Sequence, residues 1–162
     1  MNTNLPLESQ SAQPERKSRL GLVSLVFALL TMLAIMYVFF SLSLIDYNNV
    51  VIFFFVSSAL SAIAIIAGGI NLYLINRKVP VAAIVALITA LTGPAIVAFT
   101  FLSTDLFFAI LPLLLLWEFL YAIIQIILLI KNRVAILARI GIALALLCNV
   151  FVVAIFILSN ID

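Results

Sequence analysis

Two charged side chains, Glu118 and Arg139, stand inside long apolar runs, and they are the residues of this chain best placed to do chemistry. An acidic group at the centre of a bilayer costs about 2.5 to 3.5 kcal/mol on insertion scales, so Glu118 is expected to be buried among protein groups or protonated. A carboxyl group held there can titrate and so help to move a proton or an ion. It can equally stay neutral and hydrogen-bond one helix to another. At helical spacing Glu118 shares a face with Tyr121 and Gln125, which makes one polar stripe on an otherwise apolar cylinder. That stripe is expected to face protein or water rather than lipid.

Antiparallel pairing across the turn at residues 131–133 sets Gln125 level with Arg139, and Glu118 level with Ala145. The two charges then differ in height by roughly 10 Å at the helical rise. An Arg139 reaching up and a Glu118 reaching down close that gap, with Tyr121 between them. The expectation is an intramembrane polar network of Glu118, Tyr121, Gln125 and Arg139. In the competing reading Arg139, about 9 Å from the turn, snorkels its guanidinium back to the headgroups.

Other chemistry is sparse. Histidine is absent, which removes the commonest metal ligand and general base. There is no phosphate-cradling glycine loop, no metal-ligand spacing, no G-x-S-x-G and no pair of facing acids. No enzyme, no catalytic residue, no metal and no cofactor are expected. The single cysteine, Cys148, lies within an apolar segment and has no intrachain partner.

The elements that must position these residues follow from composition. Of 162 residues 67% are hydrophobic and only 9% charged, with a mean hydropathy of +1.42, far from a soluble domain. Uncharged runs cover 20–45, 50–75 and 79–104; a fourth, 106–130, is interrupted only by Glu118, and a fifth, 134–160, only by Arg139. Each exceeds the roughly 20 residues that cross a bilayer. The first is also too long for a signal-peptide core. In lipid only helices and closed barrels satisfy every backbone hydrogen bond, and runs of this length exclude short alternating strands. The expected fold is all-α, an integral membrane bundle of five transmembrane helices joined by short loops as antiparallel neighbours.

Sidedness comes from Lys and Arg. Residues 1–19, polar and aperiodic, read as a flexible cytoplasmic tail ending in Arg16, Lys17 and Arg19; Arg77 and Lys78 follow the second run, and Lys131 and Arg133 the fourth. The other side carries Asp46, Asp105 and Asp162 and no basic residue. The N-terminus is therefore expected inside and the C-terminus outside. The net charge of +2 and pI near 8.9 come from these membrane edges, so no nucleic-acid partner is expected.

Small residues recur at helical spacing and mark packing seams: Gly21, Ser24, Ala28 and Thr31; Ser57, Ser61, Ala64 and Gly68; Ala82, Ala86, Thr89 and Gly93; Ala138, Gly141, Ala145 and Cys148 beside Asn149. Gly93-Pro94 removes a backbone hydrogen bond and is expected to bend the third helix near its centre, and Pro112 to perturb the outer turns of the fourth. A faint internal repeat aligns Ile70–Leu91 with Gln125–Leu146, two hairpins of the same orientation.

Lys17–Ser24 (KSRLGLVS) and Ala138–Leu144 (ARIGIAL) resemble segments of small uncharacterised multi-pass membrane proteins of Gram-positive bacteria. The resemblance implies a bacterial plasma membrane and no particular activity. Two functions fit the residues. One is a non-enzymatic membrane protein acting through helix contacts in the bilayer, as a helper subunit or a bacteriocin-immunity-like protein, with lipid and a membrane-protein partner or a second copy as its contacts. The other is a small transporter or proton-coupled permeation subunit that uses Glu118.

Overall fold

Backbone hydrogen bonding and long apolar runs leave the chain one solution, and the computed structural model is all-helical among the described residues. It describes the backbone of residues 8–41, 47–75, 80–100, 105–131 and 135–159, and the side chains of 19–40, 52–75, 81–96, 98, 110–131 and 135–154. In chain order the helices are α1 (Glu8–Ser41), α2 (Tyr47–Ile75), α3 (Pro80–Thr100), α4 (Asp105–Lys131) and α5 (Ile136–Ser159). The loop residues Asp46, Arg77, Lys78 and Arg133, the terminal Asp162 and residues 1–7 of the expected tail lie outside the described residues.

Among the described residues four stretches are long and apolar enough to cross a membrane: Arg19–Phe40, Ile52–Ile75, Ile110–Lys131 and Ile136–Ala154. Within α3 the corresponding apolar stretch, Val81–Ile96, is shorter. α1 starts well ahead of its apolar part, so the boundary expected at residue 20 moves to Glu8. Gln10, Ala12, Glu15, Arg16 and Lys17 are all good helix formers, and extending an existing helix avoids the cost of nucleation.

Successive helices run in opposite directions. At one end the start of α1, the end of α2 and the start of α5 meet, where Gly21 faces Asn71, Leu137 and Ala138. At the other, Ile96, Leu111 and Val153 form a small apolar cluster from the end of α3, the start of α4 and the end of α5. α2 and α5 are central: α2 packs on α1, α3 and α5, and α5 on α1, α2 and α4. α3 and α4 flank this pair and touch each other only sparsely.

Alanine dominates the buried centre, with Ala28, Ala64, Ala86, Ala138 and Ala145 packed around Ile65 and Ile142. Lipid tails are as apolar as leucine, so helices that associate within a bilayer depend on close approach and polar contacts rather than on expulsion of water. Gly141 shows how close: a Cβ there would stand 2.7 Å from the Ser24 carbonyl carbon and 2.9 Å from the Leu25 nitrogen, both backbone atoms of α1. A Cβ on Gly68 would meet the Ser24 hydroxyl at 2.8 Å and collide with Ile142. Helix-to-helix hydrogen bonds use the same seam, from Ser24 Oγ to the Ala64 carbonyl (2.7 Å) and from Ser61 Oγ to the Ala145 carbonyl (3.4 Å). The small residues expected at the seams are therefore at helix contacts. Pro94 and Pro112 lie within the helical spans of α3 and α4.

Candidate functional site

The polar stripe of α4 faces inward over its whole length. Glu118 is 0% exposed, Gln125 3% and Arg139 7%, and Tyr121 is buried with them. They form two clusters and not the single expected network.

The first cluster gathers around Arg139. Its Nη1 donates to Gln125 Oε1 at 3.2 Å, the level pairing expected from the short α4–α5 connection. Tyr121 stands beside both. Arg139 is thus directed at a partner inside the bundle. Ahead of α5, Ala135 adopts a left-handed backbone (φ 57°), and its carbonyl accepts from the Arg139 N–H at 3.1 Å, which closes the first turn.

The second cluster gathers around Glu118, one to two turns further along α4. Its partners come from other helices: Thr92 Oγ1 of α3 lies 2.5 Å from Oε1, and Asn149 of α5 approaches the same carboxyl group. The expected link from Glu118 to Arg139 is replaced by these contacts. In a helix each Cα–Cβ bond leans toward the N-terminus. Because α4 and α5 are antiparallel, Glu118 leans toward one end of the bundle and Arg139 toward the other, so the charges diverge. For the same reason Glu118 meets Asn149, one turn beyond the level Ala145.

Hydrogen counting sharpens the Glu118 site. Thr92 Oγ1 is also 2.6 Å from the Thr89 carbonyl. A hydroxyl carries one hydrogen and a carbonyl oxygen only accepts. Both contacts are hydrogen bonds together only when Glu118 is protonated and supplies the second hydrogen. An ionised Glu118 takes the Thr92 hydrogen, and the Thr89 carbonyl then keeps its helical donor alone.

Around this pair, Trp117 Nε1 donates to Thr89 Oγ1 at 3.1 Å, and Thr89 donates to the Val85 carbonyl at 2.7 Å. Gly93 lets the remaining helices in. The Asn149 amide nitrogen and the Ser58 hydroxyl of α2 lie 2.8 Å and 3.2 Å from the point where a Gly93 Cβ would stand. Glu118 Oε2, Ser58 Oγ and Tyr121 Oη are buried without a hydrogen-bond partner among the described residues.

Sequence reasoning singled out Glu118, Tyr121, Gln125, Arg139 and Gly93 but missed Thr92 and Ser58. A signal for Thr92 exists, since Thr89 and Thr92 share a face of α3 one turn apart and lead directly into Gly93-Pro94. Ser58 has no such signal, because Ser57 and Ser61 beside it look equivalent in an apolar run.

The fold is that of a helical bundle with membrane-crossing dimensions, and the site is a buried carboxyl cluster joining its helices. The chain matches no known protein family, no characterised protein and no solved structure.

Proposed function

We propose that this chain spans a bacterial plasma membrane five times, N-terminus inside and C-terminus outside, and acts without catalysis through helix contacts in the bilayer. It serves as a helper subunit or as a self-protection protein of the bacteriocin-immunity type. The observation that carries this reading is where the polar side chains are spent. Ser24, Ser61, Thr92, Trp117 and Arg139 each join one helix to another. Recognition is then left to the outer faces, where Leu33, Phe40, Val81, Leu113 and Ile130 are exposed. Those faces meet lipid, a membrane-protein partner or a second copy. α3 fits a fifth span, because its 21 residues measure about 30 Å, the thickness of the hydrocarbon core.

Copurification in mild detergent tests the role: a helper brings its partner along in stoichiometric amount, and isolation as a lone monomer argues against it. Reporter fusions after Asp46, Arg77, Asp105, Arg133 and Asp162 test the topology. An inward C-terminus would sink the five-span arrangement.

One observation favours a second reading, a small proton-coupled permeation subunit: Glu118 is fully buried, yet one of its oxygens has no hydrogen-bond partner among the described residues. Replacing Glu118 by Gln separates the two. A protein that accumulates normally but loses its resistance or transport phenotype supports a titrating Glu118. Loss of the folded protein, or survival of both, supports the contact-based role.

A further inference from the structure

Where four helices converge, buried oxygen atoms are left over. Glu118 Oε2 and Ser58 Oγ have no hydrogen-bond partner among the described residues, and both residues border Asn149. Thr92 contributes a third hydroxyl or carboxyl oxygen within the same group. Buried polar groups are nearly always satisfied, and a site lined by a carboxylate and hydroxyls has the hard oxygen donors that alkali and alkaline-earth ions take.

We propose that Glu118, Ser58 and Thr92, beside Asn149, form a binding site for one small monovalent cation, sodium, in competition with a proton on Glu118. Charge selects the valence. The contributions of α2 and α3, Ser58 and Thr92, are uncharged; α5 brings the neutral Asn149; Arg139 of α5 bonds Gln125 instead. A single carboxylate in an apolar interior is neutralised by one proton or one monovalent ion, whereas a divalent ion leaves an excess charge that burial makes costly. Geometry supports the exchange. With a proton present, Glu118 donates to Thr92 and Thr92 to the Thr89 carbonyl; once the proton leaves, the carboxylate takes the Thr92 hydrogen and Oε2 turns to the ion with Ser58. The site stands whether or not the ion crosses the membrane, so it goes beyond both functional readings.

The test uses the full chain in liposomes and dicyclohexylcarbodiimide, which reacts with protonated carboxyl groups in apolar surroundings, with labelling at Glu118 read by mass spectrometry. Labelling is expected to rise as pH falls. At fixed pH, sodium is expected to suppress it when choline replaces sodium at equal ionic strength in the control. Ser58→Ala should require about tenfold more sodium for the same protection, equivalent to about 1.4 kcal/mol, while keeping the pH dependence measured without sodium. Ser57→Ala is the matched control, since that hydroxyl bonds within its own helix to the Phe54 carbonyl. Labelling that ignores sodium at every pH overturns the proposal, and so does a Ser58→Ala protein with unchanged sodium protection. If Ser58→Ala does not fold, the sodium dependence of the unaltered chain decides.

Discussion

Thr92 of α3 and Glu118 of α4 meet 2.5 Å apart across an interface that also holds the Trp117–Thr89 hydrogen bond and the packing of Ile96 on Leu111. Hydrogen bonds between membrane helices contribute about 0.6 kcal/mol on average and up to about 1.7. Glu118 is fully buried, so this one should count near the upper end. Thr92→Val keeps the shape and removes the hydroxyl, so it is expected to destabilise the bundle by about 1.5 kcal/mol in denaturant titration. A loss within error would show that α3 is held mainly by α2.

Gly141 is the tightest point of the central seam. A side chain there meets backbone atoms of Ser24 and Leu25, which no rotamer change can move aside. Gly141→Ala should therefore cost about 1 to 3 kcal/mol, the usual range for overpacking. At Gly21 the nearest obstacle is the tip of the Asn71 side chain at 2.7 Å, and the nearest backbone atom, the Ala138 nitrogen, is at 3.5 Å. Gly21→Ala should be the milder change, and thermal melts of the two variants side by side check the order.

Gln125 is the neutral partner of a buried guanidinium. Gln125→Leu withdraws the acceptor at 3.2 Å from a buried charged donor, at a cost of about 1.5 to 3 kcal/mol. Removing both, Gln125→Leu with Arg139→Leu, should be less damaging than the first change alone, because a buried charge is then not left with this acceptor replaced by an apolar group. A double-mutant cycle on unfolding free energies measures this. Simple additivity would mean that Arg139 draws little from Gln125.

Trp117 is the only tryptophan of the chain and is 44% exposed on the outer face of α4, next to Glu118. Its ring therefore reports on depth. In liposomes its fluorescence should be quenched most by lipids brominated near the middle of the acyl chain. Quenching confined to headgroup-level bromines would contradict a spanning α4.

Much of this architecture is legible in the residues alone. Five long apolar runs point to five helices, because a helix satisfies its backbone hydrogen bonds within its own segment. Short connections dictate their alternating direction, and the spacing of Glu118, Tyr121 and Gln125 dictates one inward stripe. Level pairing across the 131–133 turn likewise determines the contact of Gln125 with Arg139, since a tight hairpin leaves little freedom of register.

What the sequence could not determine is which helix lies opposite Glu118. Its partner Thr92 is 26 residues away on a helix that only the packing of α2 between α1 and α3 brings into reach. The divergence of Glu118 and Arg139 depends on side-chain lean in two antiparallel helices, and the nearness of Ser58 depends on the rotation of α2 about its axis. Helix length and polarity are local properties of the chain. Rotation and neighbour choice are set jointly by all five helices through close contacts such as those at Gly68, Gly93 and Gly141, and only the tertiary structure decides them.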